Sequence, residues 1–215
     1  MTRRSWETAR PYVLAPLVLG LLLLALGRRR AGWLGLGVAG ACLGFFRDPE
    51  RHLDPEPDVV YAAADGFVKT VEEVEDASNI RGGAATRIST FLSLHNVHVN
   101  RSPVAGRVSR MKETGGGYAP ALFSSAEENY GKELEIDGER GSVLVVQKAG
   151  LIARRISSWT EVGESLKPGQ RIGLIHFGSR TDVLFPAGSA EVLVRPGQRV
   201  WAGLTPLARY RGEYP

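Results

Sequence analysis

GLIHFGSRTDVLFP, Gly173 to Pro186, decides how the rest of the chain is read. Leu174, Ile175 and Phe177 on one side, and Val183, Leu184 and Phe185 on the other, read as buried β-strand. Between them stand Gly178 and Ser179, followed by Arg180, Thr181 and Asp182. Strand interiors avoid glycine, which adds backbone entropy and offers no side chain to pack. A core strand that stops for Gly-Ser and then resumes sets a hydroxyl beside an unhindered carbonyl. The two strand halves are expected to stay in one sheet.

The same texture of short β runs and glycine turns extends on both sides. VVYAAADGFVKTVEEV reads as two strands around Ala64-Asp65-Gly66. ATRISTFLSLHNVHVNR reads as one long alternating run, and Asp137-Gly138 joins two further runs. Glu161–Gln170 and Pro196–Gly203 resemble each other weakly, each a turn before a short strand. Strands at this spacing predict a mainly β sandwich or barrel, similar to the barrel-sandwich fold of lipoyl-type domains. A helix over Pro120–Tyr130 and a mobile loop over Thr114–Tyr118 are the exceptions expected.

The first quarter is different. Pro11–Gly27 and Ala31–Phe46 are apolar runs of about 16 residues, each short of the roughly 20 that cross a bilayer comfortably. They are joined at Arg28–Arg30. A hydrophobic helical hairpin follows, its helices brought close by Gly37, Gly40, Ala41 and Gly44. A secretory signal peptide fits less well, because a second apolar run follows at once. The expected division is a membrane-associating hairpin over 1–47 and a β-rich domain over 48–215. Pro-rich FFRDPERHLDPEPD (Phe45–Asp58) links them.

The 215 residues carry a net charge of +4. Arg3, Arg4, Arg10, Arg28, Arg29, Arg30, Arg47 and Arg51 flank the apolar runs, where they suit anionic lipid head groups. Arg47 and Arg51 are candidates for lipid phosphate or for a solvated face. No basic stripe interleaved with aromatics appears later, so nucleic acid is not an expected partner. The single cysteine, Cys42, lies in an apolar run; it excludes an internal disulfide and reads as a packing residue.

Polar groups set in apolar strands are the candidates for chemistry. Asp65 follows an apolar run and is also an ordinary turn residue before glycine. His95 and His98, three apart on an extended strand, would point to opposite faces, which argues against one shared metal. Ser179 beside Gly178 marks a bulge or a nucleophile. A serine, a histidine and an aspartate from three β segments are the set that activates a hydroxyl. The Gly-x-Ser-x-Gly elbow of hydrolases is missing. The electrophile nearest in sequence is the Gly178 carbonyl itself, which points to self-processing.

Four ordered motifs then carry a resemblance: FFRDPER (Phe45–Arg51), AADG (Ala63–Gly66), NVHVNRSPVAG (Asn96–Gly106) and HFGSRTDVLFP (His176–Pro186). With them, the chain resembles the phosphatidylserine decarboxylase proenzymes of the short bacterial and archaeal type, from about residue 40 to the end. The resemblance implies non-hydrolytic self-cleavage between Gly178 and Ser179. It gives a β chain 1–178 and an α chain 179–215 that remain together as a heterodimer, with room for a higher oligomer. Ser179 becomes a covalent pyruvoyl group, the only cofactor, and no metal is needed. The pyruvoyl carbonyl would form a Schiff base with phosphatidylserine at the cell membrane, on the cytoplasmic side, and release CO2 and phosphatidylethanolamine. His98 is the implied proton carrier, with Asp65 as its orienting partner or an aid to cleavage; His95 is the weaker candidate. Long relatives carry a second histidine where this chain has Arg101.

Rival readings remain open at this stage. A membrane-anchored barrel-sandwich zinc peptidase would want His-x-His and a further His and Asp, whereas His52 and His176 stand in unsuitable contexts. A lipoyl-like adaptor would want a lysine at a hairpin tip. A pyruvoyl enzyme for another aminophospholipid shares every motif.

Overall fold

A computed structural model describes residues 1–75, 83–117, 129–150, 155–177 and 179–212. The chain forms two compact units, Met1–Glu50 and Arg51–Pro215. Gly178, most of the expected Pro120–Tyr130 helix, and Tyr118 of the expected loop lie outside the described residues.

The first unit is two helices, α1 (Arg3–Ala25) and α2 (Arg29–Phe45). Thr2 caps α1 by accepting from Ser5 N, and its hydroxyl donates to Asp48 at 2.8 Å. Ser5 Oγ donates to the Phe46 carbonyl at 2.9 Å. These bonds carry the helix back beyond the apolar run. At 23 residues α1 is long and apolar enough to cross a membrane, whereas the apolar run alone looked too short. The close approach also falls elsewhere than expected. A Cβ at Gly37, Gly40 or Gly44 would meet nothing within 4 Å. The glycines in contact are Gly20, Gly32 and Gly35: a Cβ on Gly35 would stand 2.7 Å from Gly20 Cα. Outward the helices present Leu14, Val18, Leu19, Leu22, Trp33 and Leu34.

The second unit is all β among the described residues. Its strands are β1 (Val59–Tyr61), β2 (Gly66–Val74), β3 (Ala85–Leu92), β4 (Val99–Arg101), β5 (Gly106–Thr114), β6 (Gly131–Gly138) and β7 (Gly141–Ala149). They continue as β8 (Ile156–Ser158), β9 (Ser165–Leu166), β10 (Arg171–Ile175), β11 (Ser179–Pro186), β12 (Ala190–Val192), β13 (Arg199–Val200) and β14 (Pro206–Tyr210). An eight-stranded sheet runs β13-β2-β3-β11-β7-β6-β5-β9. Two three-stranded sheets, β1-β14-β12 and β4-β10-β8, complete the unit. Val68, Ile88, Val108, Ile136, Val145, Val183 and Phe185 of the long sheet share one core with Ile172 and Leu207 of the small sheets. Burial of about this many aliphatic side chains, each worth roughly 1.5–3 kcal/mol, is what holds the sheets together.

The long sheet is built twice. β13-β2-β3-β11 and β9-β5-β6-β7 mirror each other about the β11–β7 pair. Val68 N donates to Gln198 O at 2.9 Å and Gly197 N to Val68 O at 2.8 Å. In the other half Val108 N donates to Glu164 O at 2.9 Å and Gly163 N to Val108 O at 2.8 Å. Register breaks at Val68/Thr70 in one half and Val108/Arg110 in the other. The weak resemblance between Glu161–Gln170 and Pro196–Gly203 also has a structural basis. Lys167–Gln170 and Arg195–Gln198 are the same turn, with the glutamine Oε1 accepting from the backbone N of Lys167 and Arg195 at 3.0 and 3.2 Å. Gly169 and Gly197 take φ of +75° and +86°, the third-position conformation of a type II turn after proline.

Two expectations about strands are corrected. The residues before and after Gly178 do not share a sheet. β10 lies in the small sheet with β4 and β8, and β11 is a central strand of the long one. The Gly-Ser pair marks a change of sheet, and apolar runs on both sides read alike because both sheets face the same core. Likewise His95 and His98 do not share a strand. β3 ends at Leu92, and Asn96 Oδ1 accepts from Ser93 N at 2.9 Å to close a turn. His95 is exposed on that turn, and His98 is fully buried.

Candidate active site

Ser179 is the first residue of β11 and stands in register between Leu92 of β3 and Ala149 of β7. Alternation along β11 puts Ser179 and Thr181 on the face of Val183 and Phe185, inside the main core. The other face carries Arg180 and Asp182, a buried bidentate ion pair at 2.8 and 2.7 Å. Ser179 is wholly buried, and its Oγ has no hydrogen-bond partner among the described residues. A buried hydroxyl without a partner is costly and uncommon. Two residues earlier, Phe177 has φ of +43°, the one positive φ at a non-glycine among the described residues. That conformation costs a side-chain-bearing residue about 1–2 kcal/mol. The strain accompanies the crossing from the small sheet to the long one, immediately before Gly178.

His98 leads into β4, and Ile175 N donates to its carbonyl at 3.2 Å. His98 Nδ1 lies 3.0 Å from the Asn96 carbonyl. A carbonyl only accepts, so Nδ1 carries a proton, and in the neutral tautomer Nε2 is then the basic nitrogen. Two residues on, Asn100 Oδ1 accepts from Thr181 Oγ1 at 3.2 Å. The bond to Ile175 places His98 beside the end of β10, four residues before Ser179 in the chain.

Asp65 arrives at the Ser179 end of the long sheet. Phe67 pairs with Phe91 and Phe91 with Arg180, so Asp65 stands two strands from the Ser179 position. Its carboxylate accepts from both terminal nitrogens of Arg51 at 2.6 and 2.7 Å and from Ala202 N at 2.8 Å. Arg51 also donates to the Ala202 carbonyl at 2.6 Å. Its guanidinium is therefore spent inside the domain and is not presented to lipid phosphate. Among the described residues the Asp65 carboxylate is bonded to Arg51 and Ala202 rather than to His98. Arg101, at the position of the second histidine in long relatives, is buried and donates to the Gly169 carbonyl at 2.9 Å.

Two buried polar groups were not legible as site residues, the hydrogen-bonded Asn100–Gln147 pair and the His176 ring. Asn100 and Gln147 are buried polar side chains, with Gln147 Nε2 donating to Asn100 Oδ1 at 2.8 Å. Asn100 alternates with His98 in HNVHVNR, the only hint the sequence carries. The second is His176, buried and paired through Nε2 with Ser157 Oγ at 3.0 Å. Burial, helped by the charge of Arg155 and by His98, depresses its pKa from 6.5 to about 4. The unfolded chain therefore binds a proton that the folded one refuses between these values. Stability from this group is complete above pH 6.5 and is lost as pH falls toward 4. The loss amounts to about 3 kcal/mol at one pKa unit per 1.36 kcal/mol. His176→Asn is expected to flatten that limb of a denaturant-midpoint profile between pH 6.5 and 4; an unchanged slope would assign it to other groups.

Comparison with known proteins gives the family. A family model described as phosphatidylserine decarboxylase matches residues 38–208. A phosphatidylserine decarboxylase proenzyme of Symbiobacterium thermophilum is 46% identical over 205 residues, covering 90% of this chain and 92% of the relative. Proteins of the same name from Gluconobacter oxydans and Carboxydothermus hydrogenoformans are 43% and 42% identical, covering 94% and 89% of this chain and 93% and 91% of the relatives. With the family match running from the second half of α2 through nearly all of the β unit, including the His176–Pro186 segment, the chain belongs to the phosphatidylserine decarboxylase family.

Proposed function

We propose that this chain is a self-processing decarboxylase that converts phosphatidylserine to phosphatidylethanolamine and CO2. The observation that carries the reading is Ser179 Oγ, buried and without a partner among the described residues, at a strained sheet-to-sheet crossing. Membership of a family whose relatives are named proenzymes supports it.

Self-cleavage balances without an outside reagent until its last step. Ser179 Oγ loses its proton and bonds to the Gly178 carbonyl carbon; the amide C–N bond breaks and the nitrogen takes a proton, leaving an ester. Loss of the Ser179 Cα proton and cleavage of its Cβ–Oγ bond release Gly178 as a carboxylate. Water then replaces the nitrogen, ammonia leaves, and residue 179 ends as a pyruvoyl group. The buried and unpaired Oγ fits that fate, because no native hydrogen bond is lost when it departs. When present, a pyruvoyl group offers a carbonyl to the substrate amine and a sink for the electrons left by CO2.

The chain's own residues move protons and exclude water. His98 accepts the Ser179 proton through Nε2 and later returns one to the carbon that has lost CO2. Asp65 acts as a positioning residue, clamping Arg51 and the Ala202 backbone at the Ser179 end of the sheet. Burial of the surrounding strands keeps both fragments, 1–178 and 179–215, in one unit after cleavage, since β11 stays laddered to β3 and β7. The domains divide near residue 47, and the exposed apolar face of the hairpin attaches to the membrane that holds the substrate. The β unit lies on the cytoplasmic side, where the arginines flanking the hairpin meet anionic lipid.

Mass measurement of the denatured protein tests the reading. Two fragments separated at Gly178–Ser179, the smaller reactive toward carbonyl reagents, are expected, together with CO2 release from phosphatidylserine vesicles. A single 23.3 kDa chain from an active preparation would sink the pyruvoyl mechanism. Ser179→Ala is the control and stays uncleaved.

A further inference from the structure

Asn100 is fully buried, and its two amide atoms have opposite fates. Oδ1 is held by two donors, Gln147 Nε2 at 2.8 Å and Thr181 Oγ1 at 3.2 Å. Nδ2 has no acceptor among the described residues. Turning the amide over would set Nδ2 against Gln147 Nε2, donor against donor, while the Thr181 hydroxyl could meet either atom, so Gln147 is what fixes the orientation. An unmet amide donor in a closed core costs as much as a lost hydrogen bond, and the described residues offer Nδ2 no acceptor.

The location narrows that acceptor. Thr181 follows Ser179 by two residues on the same face of β11, one strand step of roughly 6.6–6.8 Å. An amino acid joined through its amine at position 179 carries its α-carboxyl three bonds away. That reach, plus one hydrogen bond, brings a carboxylate oxygen to the amide bound over Thr181. The row beneath is polar throughout, with Thr90 and Gln147 flanking Thr181 in register. The facing strand segment supplies no carboxylate: Val99, Asn100, Gly173 and Leu174 are the residues in register there. A neutral donor in a dry site orients a carboxylate without the strong stabilisation an arginine would give, and so without holding back its departure as CO2.

We propose that Asn100 is a specificity-determining residue whose Nδ2 receives the α-carboxylate of the amino-acid head group, with Gln147 locking the amide in that orientation. The inference rests on Ser179 becoming the amine-reactive group. It separates a head group that carries a carboxylate from the product, which has lost it. The same donor gives the substrate carboxyl one fixed direction relative to position 179.

Asn100→Asp tests the assignment because it keeps an acceptor for Gln147 and Thr181 but presents an anionic oxygen where the N–H stood. Two readouts are needed on self-cleaved protein: KM for phosphatidylserine, and the fraction of α chain that gains the mass of phosphatidylethanolamine on reductive trapping, which needs no turnover. The expected result is a rise of tenfold or more in KM for phosphatidylserine, with trapping of phosphatidylethanolamine within about twofold of wild type. Asn100→Ala, which removes the donor without adding charge, is expected to show the same split more weakly. Equal losses in both readouts, or no loss in either, would overturn the assignment. So would two variants that fold, by circular dichroism, yet remain uncleaved, since Asn100 would then act on the precursor. A wild-type chain that neither cleaves nor releases CO2 would instead sink the proposed function.

Discussion

His98→Ala is expected to lower decarboxylation of phosphatidylserine by about 10²–10⁴-fold, the usual contribution of a placed proton carrier. The ring is buried, and Nδ1 is engaged by the Asn96 carbonyl. The proposed mechanism uses the other nitrogen, Nε2. Arg101 donates to a backbone carbonyl and cannot take a proton, so no basic group stands at the position where long relatives carry a second histidine. The same substitution should therefore slow self-cleavage as well. The two effects separate by timing: mass spectrometry of freshly made protein follows cleavage, and CO2 release from the cleaved fraction follows decarboxylation. Cleavage and turnover both within tenfold of wild type would remove His98 from the mechanism. A loss confined to decarboxylation would assign the cleavage proton to another group. His95→Ala is the control, exposed on the turn before Asn96, and should leave both rates unchanged.

Arg51→Met is expected to destabilise the β unit by about 3–5 kcal/mol, the cost of stranding a buried carboxylate. Both partners are nearly sequestered, with side-chain exposures of 8% for Arg51 and 7% for Asp65. The bidentate geometry and the added bond from Ala202 N make the pair a junction between the segment entering the domain, the Ala62–Asp65 turn and the Trp201–Thr205 turn. At about 2–4 °C per kcal/mol for a domain of this size, the thermal midpoint should fall by roughly 10 °C. Arg51→Met combined with Asp65→Leu should recover much of that loss, because removing both charges is far cheaper than removing one. If the double variant regains stability but stays uncleaved, Asp65 serves Ser179 directly. If it regains both, Asp65 is a structural anchor. A single Arg51→Met with an unchanged midpoint would mean that water reaches Asp65 and screens it.

The chemistry of the site was visible in short motifs, because a nucleophile next to glycine and a histidine in an apolar run are local anomalies. Asp65 was visible for the same reason, but its bonds were not. Arg51 sits 14 residues away in a charged, Pro-rich stretch that reads as solvated. Asn100 and Gln147 are 47 residues apart, and neither is unusual in its own neighbourhood. Only the approach of β4 to the β11–β7 ladder gives them a meeting point.

The sequence alone determined the β character of the body and the apolar helical hairpin before it, and it singled out Ser179 as the candidate nucleophile. Each rests on residue type and period within a dozen residues, which physical chemistry reads without knowing partners. Tertiary structure alone decided that the Gly178–Ser179 position lies at a change of sheet, that Gly20, Gly32 and Gly35 make the helix contact, and that Asp65 closes on Arg51. Strands facing one core have the same pattern whichever sheet they join, and glycine stripes look alike on every helix face. Such choices are set by which surfaces exclude water together, and that is a property of the folded chain.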